Sequence, residues 1–516
     1  MTTSLRGLSG VSVTQSTASD MNMFCCMAIV SRRSHSTFLA IAAIPLAAAW
    51  CAAEPPAGPT VVSGVVPRLA MVADHEPRTE AGVGAVMPWA DRLWAVTYVA
   101  HTGKTGSGTG LYEITSDLAL VKRPESVVGT YANRMVHAPS GQLFIGPHAI
   151  TSDGTVRTID GIKDHRLTAT CPHLSDPLGK VLVLGMEGEF WEVDVKTLDA
   201  RLLADLRQEL GLPADAKPHF KGAWTHHGRV VVANNTFTEA DARGEASAGR
   251  LAEWDGKTWT VLERASFTEV WATEEFSKPM ICIGNDARSA ILMVHADGRW
   301  TKYRLPRHGH AWDQTSTTEW MRIREVETER GLMDCYGIFY EVPFNLVRGR
   351  LRGLRPVSAH LRVVPDFCSW RGMLVLGGNQ ATPMRFGTGL DLNPLAGQPQ
   401  AGLWFGKTDD LWSFGKPAGD GGVWHDTPIK AGEPSDPFLA AGFDHKTLHL
   451  RHAAARDVTF TVEVDFLGDQ SWVAYSDITI PAGGYKPVVV QDGYGAEWIR
   501  VTADADCRAT AHFTYR

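Results

Sequence analysis

Short apolar strands that run into aspartate-bearing turns recur along most of the chain. In the clearest case, residues 251–262, apolar residues alternate up to Trp254 and a return strand begins at Trp259. Asp255-Gly256 lies between them and supplies a turn with positive φ. Weaker copies begin near Leu111, Ala149, Phe190, Ile291, Ile338 and Leu403. Spacings of about 40 to 65 residues suit a four-stranded blade with its loops, so the pattern predicts an all-β chain built on a seven-bladed β-propeller.

The repeat ends near Lys416, and a different pattern follows it. Apolar alternation resumes near Val458, Gln470, Val488, Trp498 and Ala509. Such segments are typical of antiparallel strands, so residues 413–516 are predicted to form a small β-sandwich-like appendage that packs against the propeller, which is assigned to residues 65–412. A helical pattern occurs at 203–210, before Gly211 and Pro213, and predicts a short helix between blades.

The first 53 residues resemble an export signal. Arg32-Arg33 precede an apolar run over 38–50, and the small residues 51–53 offer a cleavage point. The run is too short to span a bilayer, and a start at Met21 or Met23 gives more ordinary proportions. We therefore expect a secreted or periplasmic protein without a membrane anchor after cleavage, with residues 54–64 as a linker.

Composition narrows the classes of partner. The chain has 50 basic and 57 acidic residues and no basic block, which disfavours nucleic-acid binding. Its 17 tryptophans against 10 tyrosines suit blade packing and also sugar stacking. The five cysteines after the leader lack a Cys-x-x-Cys pair, so we interpret most of them as small buried hydrophobic residues rather than zinc ligands.

In a propeller, the loops between second and third strands open on the same face as the links between blades, and a site is assembled from several blades. Histidine titrates near neutral pH, which makes His101 and His148 candidates for proton transfer. Arg134, the third catalytic candidate, needs an anionic partner, either a ligand carboxylate or an internal acid. The predicted substrate-binding residues are Tyr131, Arg166, His219, Lys221, Asn235 and Arg288. No metal site is assigned, because His308, His310 and Asp313 lack a fourth ligand.

Segments 220–235, 249–256, 267–270 and 318–325 resemble secreted seven-bladed propellers that act on rhamnose-glucuronate linkages, either uronate lyases or α-L-rhamnosidases. This resemblance spans about 64–412 and implies a polysaccharide substrate, a shallow polar axial site and a histidine-centred mechanism. It also implies a structural cation, such as calcium, in the central channel.

Three functions follow as alternatives. A lyase needs a base and cations that stabilise an enolate, which His101, His148, Tyr131, Arg134 and Arg166 could supply. A hydrolase instead needs two suitably spaced carboxyl groups. The candidates are Glu187, Glu269, Asp286 and Glu319. The excess of histidine and arginine favours the lyase, and a non-catalytic propeller that binds glycan or protein is the third alternative.

Overall fold

The structure is a computed structural model, and it describes residues 64–65, 69, 71–72, 81–99, 110–236, 248–273, 278–308, 321–346, 350–360, 362–380 and 400–516. The predicted signal peptide and all but the last residue of the predicted linker lie outside these ranges. No helix in the described part of the chain is long and apolar enough to cross a membrane.

The described chain is all-β, and its first part consists of seven antiparallel units of four strands in up-and-down order. Sheet 1 contains Ala81–Trp89, Arg92–Val99, Leu111–Ile114 and Leu120–Lys122. Sheet 2 contains Arg134–His137, Gln142–Ile145, His148–Thr151 and Val156–Thr158. Sheet 3 contains Leu167–Pro172, Lys180–Gly185, Glu189–Asp194 and Ala200–Asp205. Sheet 4 contains Phe220–His226, Arg229–Asn234, Arg250–Trp254 and Trp259–Glu263.

The remaining three units follow the same plan. Sheet 5 contains Ser266–Trp271, Met280–Asn285, Ala290–Ala296 and Arg299–Leu305. Sheet 6 contains Arg322–Glu327, Arg330–Cys335, Ile338–Val342 and Arg355–Ala359. Sheet 7 contains Phe367–Trp370, Met373–Gly377 and Leu403–Gly406, and its fourth strand is Gly64–Val65 from the start of the described chain. Shorter strands pair Asn379–Gln380 with sheet 1 and Met71–Val72 with Gln400–Ala401.

The seven repeated segments in the sequence are the third strands of the seven sheets. In sheet 4, Trp254 pairs with Trp259 across the predicted turn, and Gly256 has φ +95°. The two indole rings stack with centroids 5.8 Å apart, and both lie edge-on to Phe190 of sheet 3. The hairpin prediction is confirmed, and its tryptophans hold neighbouring sheets together.

The first strands of the sheets lie side by side. Each contacts the first strand of the next sheet, and the first strand of sheet 7 contacts that of sheet 1. Many residues of these strands are buried, and all six of Ser266–Trp271 are. Their side chains therefore surround the middle of this part of the molecule.

The C-terminal region forms two sheets packed face to face. One contains Gly419–Ile429, Cys507–Tyr515, Lys446–His452 and Tyr485–Val489. The other contains Phe438–Leu439, Trp498–Ala503, Val458–Asp465 and Val473–Ile480, and it continues sheet 5 because Phe438 pairs with Arg304. One apolar core joins this region to sheets 5 and 6, and the Trp498 indole donates to the Leu351 carbonyl at 3.0 Å. The appendage is thus packed against the repeated sheets.

The prediction of a helix at 203–210 is mostly wrong. Ala200–Asp205 is the fourth strand of sheet 3, and only Leu206–Glu209 is helical, with Asp205 as its N-cap. Pairing with the neighbouring strand overrides the local helical pattern. The five cysteines after the leader are unpaired, and four of them are buried.

Candidate functional site

A cavity of about 530 Å³ opens among the first strands, and we call it the central cavity. A volume of this size can hold one or a few sugar rings. Residues from sheets 1 to 6 line it, so no single stretch of sequence contains the site. Its polar and aromatic lining includes Arg134, Thr168, Thr170, Lys221, Trp224, Glu269, Trp271, Arg322, Arg324 and Glu325.

A series of linked ion pairs lies at this cavity. Asp366, fully buried just before sheet 7, accepts from the Arg134 Nε at 2.6 Å and from the Arg324 Nε at 2.9 Å. Arg324 also donates from Nη1 to Glu269 Oε1 at 2.6 Å. Burial alone would raise the pKa of Asp366, but the charges of Arg134 and Arg324 outweigh it and hold that pKa below its usual value. The carboxylate is therefore ionised and tied to its arginines.

Arg322 is the least compensated cation of this group. Its side chain is 2% exposed, and its contact with Glu269 is long, at 3.4 Å. Its Nε has no hydrogen-bond partner among the described residues. Burial lowers the pKa of Arg322, whereas the charges of Asp366 and Glu269 outweigh burial and raise that of Arg324. Three guanidinium groups thus share two carboxylates, and a buried cation whose ion pair is long favours an anionic ligand.

Two of the nine predicted site residues line the central cavity, namely Arg134 and Lys221. For Arg134, the sequence left open a ligand or an internal acid, and the structure has the internal acid, Asp366. Lys221 lies in the first strand of sheet 4 and is 3% exposed. These two residues come from different sheets, so the fold brings them together.

His148 and Tyr131 are buried outside the cavity lining. His148 begins the third strand of sheet 2, and its Nδ1 lies 3.2 Å from the Thr158 hydroxyl. Burial lowers the pKa of His148 to about 4, although the charge of Glu125 opposes this shift. The Tyr131 hydroxyl donates to the Lys163 carbonyl at 2.5 Å, and burial raises its pKa. Proton transfer by either residue stays a prediction.

The other predicted residues are spread over several sheets. His219 Nδ1 lies 2.7 Å from Asn235 Oδ1, and both residues are buried beside sheet 4. Arg166 donates from Nε to Glu187 at 2.7 Å, an internal partner again. Arg288 lines a separate pocket, described below. His101 lies outside the described residues.

The acidic residues do not suit a cation in the central cavity. Calcium takes six to eight oxygen ligands. Glu269 and Asp366 are instead held by guanidinium groups, which leaves Glu325 as the other acidic residue of the described lining. Among the described residues, no group of three or more His, Cys, Asp or Glu is arranged to hold a metal ion. The central cation implied by the resemblance therefore does not fit these residues.

Of the hydrolase candidates, Glu269 lines the cavity as a partner of arginines, and Glu319 lies outside the described residues. Sequence reasoning missed Arg322, Arg324 and Asp366. One signal was present, because Arg322 and Arg324 are two residues apart on a strand and so share a face. Asp366 had no such signal, since its partner Arg134 is 232 positions away.

No protein-family model and no curated protein matches the chain. Among solved structures it is similar to the WD40 repeats of RRP9, at 10% identity and a TM-score of 0.39, covering 67% of this chain and 100% of that one. It is also similar to the extracellular domain of a hybrid two-component system of B. thetaiotaomicron, at 9% identity and a TM-score of 0.40, covering 86% and 57%. A third is PorZ of the Porphyromonas gingivalis type-IX secretion system, at 11% identity and a TM-score of 0.35, covering 71% of this chain and 44% of that one. The likeness is one of β-propeller fold class.

Proposed function

We propose that the chain is an exported seven-bladed β-propeller that binds an acidic saccharide in the central cavity. The observation that supports this most is the sharing of two carboxylates by Arg134, Arg322 and Arg324. A ligand carboxylate would supply the missing negative charge and could accept paired hydrogen bonds from a guanidinium group.

The apolar part of the lining favours a sugar over a small inorganic anion. Trp224 and Trp271 belong to it, and aromatic rings offer flat apolar surface to the C–H faces of sugars. A uronic acid has both features, a carboxylate and an apolar ring face. The uronate-containing polysaccharide implied by the sequence resemblance is of this class.

The proposed number of blades and the proposed export are supported by different observations. The contact between the first strands of sheets 7 and 1 supports a closed ring of seven. The strand Gly64–Val65, which joins sheet 7 from the start of the described chain, supports the same closure. Export is supported by the basic and apolar pattern of the first 53 residues.

Cleavage of the saccharide by β-elimination is the second candidate. The cations of the cavity favour it, because they would stabilise the enolate formed when the proton α to a uronate carboxylate is removed. Binding is preferred, since no histidine belongs to the described lining and Arg134 is already paired with Asp366.

The test is to titrate ulvan, gum arabic and their oligosaccharides into the purified protein by calorimetry. Parallel samples are followed for unsaturated uronates by absorbance and for released rhamnose. Arg322→Gln should weaken binding about tenfold or more, because a hydrogen bond to a charged group is worth about 1.5–3 kcal/mol. The control, Arg371→Gln, removes a 44% exposed arginine that pairs with Asp91.

Binding without cleavage products supports the proposal, and unsaturated uronates would favour the lyase. Rhamnose without unsaturation would favour the hydrolase. The proposed binding in the central cavity would be refuted if wild type and Arg322→Gln bound equally well, or if no acidic glycan bound.

A further inference from the structure

A second cavity, of about 310 Å³, lies where sheet 5 meets the C-terminal region, and we call it the junction pocket. The turn after Asn285 forms one side, and the strands Gly419–Ile429 and Cys507–Tyr515 form the other. Six of its seven lining residues are polar or charged, so it suits a small polar group rather than an apolar one. They are Asp286, Arg288, His425, Asp426, Thr427 and Arg508, with Ala287 as the seventh.

On the sheet 5 side, Asp286 holds Arg288 in place. Asp286 Oδ2 accepts from the Arg288 Nε at 2.8 Å and from the Arg304 Nη2 at 2.9 Å, and Oδ1 accepts from the Arg304 Nη1 at 2.9 Å. Arg304 is fully buried. Burial would raise the pKa of Asp286, but Arg304 and Arg288 outweigh it and hold that pKa far below its usual value. The buried Arg304 neutralises the Asp286 carboxylate, so the charge of Asp286 repels an incoming anion only weakly.

On the other side, a bulge presents Asp426 and Arg508. The pairing between strands shifts register between Trp424 and Thr427, and Asp426 adopts φ 46°. A positive φ is uncommon for residues other than glycine, and bulges of this kind re-aim side chains. Asp426 accepts from the Arg508 Nε at 3.1 Å and Nη2 at 2.8 Å. The guanidinium plane of Arg508 is thereby oriented while 54% of the side chain stays exposed.

Each arginine is thus held through Nε and Nη2, and Nη1 is left for another acceptor. Neither Nη1 has a hydrogen bond within the described part of the chain. His425 and Thr427 add further polar groups to the same pocket. Donors on two facing elements match the several acceptor oxygens of a single oxyanion.

We propose that the junction pocket binds the oxyanion group of an acidic saccharide, a carboxylate or a sulfate ester, between Arg288 and Arg508. A ligand here would contact sheet 5 and the C-terminal region at once. That the ligand is a saccharide rests on the proposed function, whereas the position of the oxyanion rests on this pocket alone.

The test uses calorimetric titration of D-glucuronate, glucose 6-sulfate and glucose into the full mature chain. Arg508→Gln and, independently, Arg288→Gln should weaken anion binding at this site about tenfold or more, because each removes a charged donor. The matched control is Arg456→Gln, which removes a 60% exposed arginine that pairs with Asp504 in the same region. The melting temperature of each variant verifies folding.

The variant Arg322→Gln distinguishes binding in the central cavity from binding in the junction pocket. With both sites present, Arg508→Gln and Arg322→Gln each remove one of two binding events. If only Arg508→Gln and Arg288→Gln reduce anion binding, the junction pocket stands and the central site fails. The junction proposal is overturned if these two variants bind like Arg456→Gln, if neither anion binds, or if neutral glucose binds as tightly. A preference between glucuronate and glucose 6-sulfate identifies which oxyanion the pocket takes.

Discussion

Asp366→Asn should destabilise the chain more than a change of one atom suggests. The carboxylate is fully buried and contacts three sheets. It accepts from the Val86 N–H of sheet 1 at 2.9 Å, from Arg134 of sheet 2 and from Arg324 of sheet 6. Asparagine keeps the shape, but it removes the charge and replaces one acceptor oxygen by a donor. Among the described residues, Arg134 would then have no carboxylate partner, and Arg324 would keep only Glu269.

Breaking a buried ion pair by removing one partner costs about 3–5 kcal/mol. For a cooperative unit of the size of Val61–Arg516, the unfolding entropy at the midpoint is about 1 kcal/mol/K. A loss of about 4 kcal/mol therefore lowers the melting temperature by about 4 °C. Differential scanning calorimetry at neutral pH measures this shift. The control is Asp444→Asn, which breaks an exposed pair with Lys416 and should change stability by less than about 0.5 kcal/mol.

The effect should depend on pH with a definite sign. Because the pKa of Asp366 is lowered in the folded state, its contribution is complete above the unfolded value of about 3.9 and is lost as the pH falls through the folded value. The difference between wild type and Asp366→Asn should therefore shrink below about pH 4. If wild type and Asp366→Asn have the same melting temperature at neutral pH, Asp366 does not hold the sheets together as inferred.

Three further outcomes are expected. Because burial lowers the pKa of His148 to about 4, its contribution to stability is present above about pH 6.5 and is lost as the pH falls towards 4. Urea midpoints of His148→Gln should thus fall less than those of wild type between pH 7 and 5, and parallel curves would contradict this. Trp254→Ala should cost about 2 kcal/mol in urea unfolding through lost packing on Phe190 and Trp259, and an unchanged midpoint would refute that packing. Trp498→Phe removes the donor to the Leu351 carbonyl and should cost about 1–3 kcal/mol, with refutation by a loss under about 0.5 kcal/mol.

The periodic strands were predictable because their signal is local. Alternation of apolar residues and the turn chemistry of Asp255-Gly256 depend on neighbours within a few positions, and the hairpin at 251–262 forms as predicted. The strands near Val458 and Trp498 were found in the same way. At 203–210 the local signal failed, because strand pairing competed with it.

The members of the site were less predictable, because a side chain's partner is set by distant parts of the chain. Arg134 was found as a residue type that needs an acid, but its acid, Asp366, lies 232 positions away. His148 was expected on an open face, and strand pairing with Ile145 and Thr158 buries it instead. Arg288 was predicted to bind substrate on the same face as Arg134, and it lines the junction pocket.

The amino-acid sequence by itself determined the all-β class, the repeat and the C-terminal strands, since each depends on short-range periodicity. The tertiary structure alone decided which charges meet, that Arg134, Arg322 and Arg324 share two carboxylates, and that Arg288 and Arg508 line one pocket. The physical reason is that electrostatic partners are chosen by distance in space, which only the packing of the sheets sets.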